Sequence, residues 1–484
     1  MPMFKTSSLS VAALACTLLI SGCASVGPDF QRPPADSTVP AQFARQEEGL
    51  GQDRSTLTST DVREADFWRQ FGDAQLTRLV QQALQGNHDV GAAMARLESA
   101  QALLVHSQVD RLPTVKMSGD ATQQKLSIDQ VSPGQAQSTR AYSAGIAATW
   151  EIDWVGRLKR AIEIQRAEVQ ASHADVAALQ VLIAAQVADT YTQLRGAQWR
   201  LRIAQAAEQN QRDTSRLVER RWAAGSGTAL DVTRARAQLM STQARLPSLH
   251  LQVATLEHRL AVLLGLSPGD LIAQLDSTGS LPTMPPSLTP GTPAELLRRR
   301  PDLAAAEARL HAATARIGVA TADLFPRISL GGVLGSFTLA GGDLFTGRSA
   351  NHSAFLGIDW SFLDVGRVRA RIAASEAGAA QALAQYQQGV LLALEETENA
   401  LVQTHRAREE WVLLDATSMQ RDEAQALAQR MYRGGTLSLY EVLDAQREQL
   451  AAQDAKAQSQ INAVRSSIAL YKALAGGWPR PDDS

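Results

Sequence analysis

The sequence predicts an α+β membrane protein: a tandem repeat, mostly of very long helices, whose four short strands must join those of other copies to close a barrel. Three observations carry this expectation. Trp150-Glu151-Ile152-Asp153-Trp154-Val155-Gly156-Arg157 returns as Trp360-Ser361-Phe362-Leu363-Asp364-Val365-Gly366-Arg367, with Trp, Val, Gly and Arg repeated 210 positions later. Each copy opens a proline-free run of more than sixty residues, Arg157 to Ala223 and Arg367 to Arg433. Each copy also closes a pair of alternating apolar segments of about ten residues, the length at which a tilted strand crosses a bilayer.

The repeat extends further. Gly225 and Gly435, and Val232 and Val442, are again 210 apart, while Asp89/Asp302, Arg96/Arg309 and Pro113/Pro326 are 213 apart. Self-similarity at a fixed period marks a duplicated structural unit. Here the unit reads helix, strand pair, very long helix, return helix.

Composition narrows the class. The formal net charge of −2 gives no basic face for nucleic acid, and aromatic residues make up only 5%. Ala, Gln and Arg are abundant, which suits long helices better than a conventional globular core. The two cysteines, Cys16 and Cys23, both lie at the N-terminus, so an exported mature chain has no disulfide and no thiol catalyst. Beyond the N-terminus no run of about 20 apolar residues occurs, so no transmembrane helix is expected.

The N-terminus has the layout of a secretory signal peptide over residues 1–22: Lys5, then the apolar stretch Leu9 to Ile20, then small residues. Its end, Leu19-Ile20-Ser21-Gly22-Cys23, resembles a bacterial lipobox, with Cys23 lipidated as the first mature residue. Ala24 stands where an inner-membrane retention Asp would be. Several acyl chains, each methylene contributing about 0.8 kcal/mol, anchor a protein firmly. The implied place is the periplasmic face of the outer membrane.

Residues 23–72 read as a lipidated extended segment, pinned by Phe67, Trp68 and Phe71. Repeat one spans 73–266, with a helix from near Asp73 and another from about Asp89 to Arg111. Pro113 ends the second, since its ring removes a donor and blocks continuation. Strands follow at about 114–124 and 140–152, with Val115, Met117, Ile146, Ala148, Trp150 and Ile152 on one side and Lys116, Ser118, Asp120 and Thr149 on the other. Repeat two, 294–476, offers strands at about 327–337 and 353–363 after Pro326, with Trp360 and Phe362 in the last. A single such pair would read as a surface hairpin packed on helices; its recurrence points to membrane strands. Strands in lipid leave no open edge, and barrels start at about eight strands, so several chains must share one.

The long helices, 157–223 and 367–433, would each measure about 100 Å. Their narrow apolar stripe, Val176, Leu179, Leu182, Ile183, Val187 and Leu194, suits coiled-coil packing. They end at Arg221-Trp222-Ala223-Ala224-Gly225 and Met431-Tyr432-Arg433-Gly434-Gly435, where glycine takes the left-handed turn. Return helices at 230–265 and 439–475 follow, the first kinked by Pro247. A proline-rich linker, 267–293, joins the repeats, and 477–484 form a tail.

In this order the lipobox, the paired Trp-x-x-x-x-Val-Gly-Arg junctions, the prolines before the strands, Leu443-Asp444-Ala445-Gln446-Arg447 and Leu470-Tyr471-Lys472-Ala473-Leu474 resemble TolC-type outer-membrane factors, most closely the NodT-family efflux lipoproteins. The resemblance implies a homotrimer with a shared twelve-stranded transmembrane barrel above an α-helical tunnel. It implies a passive exit duct for drugs and other toxic compounds, docked to a periplasmic adaptor (membrane fusion) protein and an inner-membrane RND-type transporter. It also implies a periplasmic aperture at Asp444, Arg447 and Asp231, with Arg221, Trp222, Gly225, Tyr432, Gly434 and Gly435 as adaptor-docking tips. Asp231 reads equally as a helix cap, and Asp444 also as a solvated surface acid. Pro113, Pro326, Trp150, Gly156, Arg157, Trp360, Gly366 and Arg367 form the strand–helix junctions. Trp150 and Trp360 are expected at the headgroups, or packed on the helices below.

Enzyme motifs are missing from the sequence. The eight histidines form no metal-ligand pattern, Gly225-Ser226-Gly227-Thr228 lacks a phosphate-loop Lys, and no nucleophile elbow occurs. No metal or cofactor is implied. A protein-secretion duct and a pore-less coiled-coil envelope lipoprotein stand as the alternatives.

Overall fold

The structure is a computed structural model that describes residues 25–33, 40–44, 57–58, 67–132, 134, 136–272, 275, 279–285, 288–289, 291–339 and 343–474. The signal peptide, Cys23 and the 477–484 tail lie outside the described residues. The chain divides into two compact units. The first comprises Arg96–His173 and Ala305–Gln387 with the N-terminal stretch to Pro33. The second comprises Pro34–Ala95, Ala174–Ala304 and Gln388–Ser484.

The first unit holds the four-stranded sheet and the helix segments that lead into and out of it. Helices α2 (His88–Val109) and α8 (Pro301–Ala322) stop a few residues before Pro113 and Pro326, whose rings cannot continue a helix. Strands begin directly after each proline: β1 (Thr114–Lys125) pairs with β2 (Ser138–Ile152), and β3 (Arg327–Thr338) with β4 (Ala350–Asp359). They form one antiparallel sheet in the order β1-β2-β3-β4, because β2 also pairs with β3. β1 and β4 are therefore its two edges.

Two expected boundaries are corrected. The last strand is β4, Ala350–Asp359, rather than 353–363, so Trp360 and Phe362 fall outside it. Asp359 faces Arg327, the first residue after Pro326, and beyond it the neighbouring strand offers no further partner. The earlier start follows from Ala350 pairing with Ser336. The helix after β1's hairpin partner, α3, runs Arg157–Ala223 and its counterpart α9 runs Val365–Arg433, two residues earlier than expected. By length and hydropathy α3 could cross a membrane, yet 56% of the qualifying window is buried inside the protein, as in a core helix.

The second unit is a helical layer with a core on one side. Helix α1 (Ala74–Gly86) is capped by Asp73, whose carboxylate accepts from the Gln75 and Leu76 amides at 2.8 and 3.0 Å. A short 3₁₀ turn, Trp68–Phe71, drives Phe67, Trp68 and Phe71 into this core, with Phe67 stacked on Tyr471 at 3.6 Å. The core joins α1 to Ile183, Val187, Tyr191 and Leu194 of α3, and to Val464 and Ile468 of α10 (Leu439–Ala473).

The first return helix is broken rather than kinked. It splits into α4 (Ala229–Gln243) and α5 (Leu246–Leu263). Pro247 lies in the first turn of α5, where its missing amide costs nothing, and its ring excludes the carbonyl four residues back, at Gln243. The second return helix, with Ala457 at the matching place, is continuous. Between α5 and α8 come α6 (Pro268–Ile272) and α7 (Pro293–Arg299). Leu57–Thr58 and Leu288–Thr289 add a two-residue parallel pairing.

Candidate functional site: the strand sheet and the helix tips

The sheet has two chemically distinct faces. Register places Met117 opposite Ile146, Ile146 opposite Leu334, Trp150 opposite Leu330, and Leu330 opposite Leu356. All of these share one face and all are exposed, Met117 at 83%. The other face carries Lys116, Ser118, Asp120 across from Ser143, Ser329, Asn351 and Ser353. β1 is exposed along its whole length, so no helix covers it. An apolar face this continuous marks a membrane or partner surface. Unpaired strand edges in lipid would leave amides without partners, so β1 and β4 must be joined by strands of other copies.

The junction tryptophans bind helix ends. Trp150 Nε1 donates to the Arg111 carbonyl at 2.8 Å and Trp360 Nε1 to the Leu324 carbonyl at 3.1 Å, each two residues before a junction proline. Both rings remain partly exposed, at 38% and 51%. Trp154, not singled out from sequence, donates likewise to Pro326 O at 2.8 Å.

Gly156 and Gly366 are not equivalent. Gly156 has φ +79, and Ser25 lies so close that a β-carbon on it would meet the serine at 2.5 Å. Gly366 is helical and open, because among the described residues no segment crosses it within 4 Å. Arg157 grips Glu151 with two bonds at 2.8 and 2.7 Å, whereas Arg367 makes one looser contact with Asp364 at 3.2 Å.

A clamp missed from sequence explains the difference. The Val26 amide donates to Val155 O at 3.0 Å. The buried Arg160 guanidinium donates to Val26 O, Gly27 O and Asp29 at 3.1, 3.3 and 2.7 Å, and to Glu163 at 2.8 Å. Phe30 stacks on His311 at 4.4 Å, and His311 in turn bonds Glu163 at 2.8 Å. Burial alone would lift the Glu163 carboxyl, but the bonds from His311 and Arg160 hold it below the ordinary carboxylate range. Only Arg160 and Glu163, three apart on one helix, were a readable sign.

The tips repeat each other bond for bond. Gly225 N donates to Trp222 O and Ser226 N to Arg221 O, both at 2.9 Å; Gly435 N to Tyr432 O and Thr436 N to Met431 O match them at 3.1 and 3.0 Å. Gly225 and Gly435 have φ +76 and +79, which a glycine adopts without strain. Gly434 N closes the last helical turn on Arg430 O at 3.0 Å. Arg221 stands over the Tyr432 ring at 4.4 Å, and Trp222 is half exposed. Val218, Val232, Ala235 and Leu439 form a small apolar core beneath.

Of the aperture residues, Asp444 and Arg447 are brought together as an ion pair on one face of α10. Asp231 is drawn elsewhere: it completes a capping box, accepting from Thr228 Oγ1 at 2.7 Å and Thr228 N at 3.2 Å. Glu441 does the same for Ser438 at 2.8 and 2.9 Å. Both sit one turn inside their helices, so Thr228 rather than Asp231 is the cap. Among the described residues no cluster could hold a metal ion.

A helical layer, an exposed amphipathic sheet with two open edges, and glycine-turned helix tips define the protomer of a shared membrane channel. The profile of the outer membrane efflux protein family matches residues 79–266 and 292–476, one match per repeat, and the chain belongs to that family. It is 35% identical over 417 residues to the pyoverdine export outer membrane protein OpmQ of Pseudomonas putida, covering 85% of this chain and 88% of OpmQ. It is 29% identical over 479 residues to the probable outer membrane lipoprotein SilC of Salmonella typhimurium, covering 98% and 100%. The solved outer-membrane channel OprN superposes with a TM-score of 0.83 at 40% identity, over 94% of this chain and 99% of that one. The protein is thus an outer-membrane efflux channel, the exit duct class of export systems, and its family is one of channels rather than enzymes.

Proposed function

We propose that three copies pool their strands into one twelve-stranded barrel and their long helices into one tunnel. The duct conducts drugs and other toxic small molecules passively, with a periplasmic adaptor and an inner-membrane RND-type transporter supplying selection and energy. The observation that carries this reading is the exposed apolar face running across all four strands, together with the two unpaired edges. Asp444 and Arg447 line the periplasmic aperture, and Asp231 fixes the start of the helix beside it. Acids and bases around a narrow opening hold neighbouring helices together and select ions by charge. The tips at Arg221, Trp222, Gly225, Tyr432, Gly434 and Gly435 meet the adaptor.

Cys23 carries the acyl anchor. Supporting this, Ser25 is held against Gly156 at the foot of the sheet, and the relative SilC bears the name of a lipoprotein. Purified protein in planar bilayers tests the duct and its aperture together. Conductance is expected, and Asp444→Ala is expected to raise it while weakening cation preference. A silent wild type would sink the duct, and an unchanged Asp444→Ala channel would sink the aperture assignment.

A further inference from the structure

The helical layer of the second unit has one covered face and one bare face. On α3, Ile183, Val187, Tyr191 and Leu194 point into the core, while Leu182, Gln186, Asp189 and Gln193 lie about a third of a turn away. On α9, Arg408 reaches the linker at Met284 and Pro285, while Gln403, Arg406 and Glu410 turn to the other side. On the reading of the chain as a duct, the face carrying the core is the outer one and the groove-bearing face the luminal one.

That bare face carries two adjoining grooves, with volumes of about 660 and 470 Å³. Arg465 of α10 lines both. The larger is lined by Leu182, Ala407 and Ala469 together with Ala185 and Ile468, which also border the core cluster, and Arg465 and Lys472 stand on its wall. Arg465 uses its Nε and Nη2 on Asp189, at 2.5 and 3.3 Å. Among the described residues its Nη1 has no partner, so the end-on edge of the guanidinium is free to accept a second planar oxyanion. Guanidinium groups bind carboxylates through two parallel bonds, and a carboxylate arriving end-on need not displace Asp189.

We propose that this groove is a luminal resting site for carboxylate-bearing amphiphiles, with Arg465 taking the carboxylate and the Leu182–Ile468–Ala469 floor taking the apolar body. The site rests on the reading of the chain as a duct. The charges around it are largely paired: Asp189 offsets Arg465, Glu396 is shared between Lys472 and Arg300 at 2.8 and 2.9 Å, and Arg406 and Glu410 both line the groove, so an anion is held without a large net positive field. A passing solute is retained weakly enough to leave, which conduction requires.

The test is single-channel recording of the full-length trimer with 11-(dansylamino)undecanoate, a fluorescent amphiphilic carboxylate, and with its uncharged methyl ester. The carboxylate is expected to block the current reversibly and the ester to block far less. Arg465→Gln is expected to weaken block about tenfold, the loss of a charged hydrogen-bonded pair. Ala469→Trp, which fills the floor and leaves Arg465 in place, is expected to weaken block of both compounds. Equal block by the ester, or block unaltered in both variants, would overturn the site. An open channel that the probe never blocks also removes the site while leaving the duct intact; a wild type with no current counts against the duct itself.

Discussion

The indole of Trp150 donates to the carbonyl of Arg111, two residues ahead of Pro113, and Trp360 repeats the bond on Leu324 ahead of Pro326. A helix end leaves carbonyls without partners, and proline removes the amide that would follow. Each tryptophan thus ties the turn between a helix and its junction proline to the chain at the end of a strand, while its ring stays partly exposed. Trp150→Phe retains the ring and loses the donor. It should cost about 1 kcal/mol, seen as a lower thermal midpoint of the oligomer in detergent; an unchanged midpoint would make the bond incidental.

Arg160 is buried and grips the segment from Val26 to Asp29. Arg160→Met should leave Glu163 with His311 as its partner and free residues 25–33, at a cost of about 2 kcal/mol. Hydrogen exchange is the measurement: the amide of Val26, now bonded to Val155, should exchange much faster in the variant.

The same cluster sets an acid limit. Because the Glu163 carboxyl is held below its ordinary value, it contributes stability above that ordinary range and loses it as pH falls through the depressed folded value. Denaturant midpoints taken between pH 6 and 3 should fall more for wild type than for Glu163→Gln. A parallel decline would show that other carboxylates govern.

At the tips, Arg221 over Tyr432 joins the end of one long helix to the end of the other. Cation–π contacts at exposed sites contribute about 0.5–1 kcal/mol. Tyr432→Ala should loosen the tips and raise open probability in bilayers, while Tyr432→Phe, which keeps the ring, should match wild type.

Much of this was legible in the chain. The junction repeat placed both long helices, and period-two alternation placed the strands, because those signals are local. Alternation overran β4, since Trp360 and Phe362 continue the pattern but their pairing depends on where Pro326 lets the partner begin. The capping contacts of Asp231 and Glu441 were readable too: Thr228-Ala229-Leu230-Asp231 and Ser438-Leu439-Tyr440-Glu441 carry the capping-box spacing. The Arg160 clamp was not readable, because Asp29 and His311 come from distant parts of the chain.

Native mass spectrometry of the full chain extracted from membranes tests the pooling of strands most directly. More than one copy is required because β1 and β4 each need a partner from another chain, and three are expected from the proposed twelve-stranded barrel. A folded particle of one copy, with both edges unpaired, would contradict it.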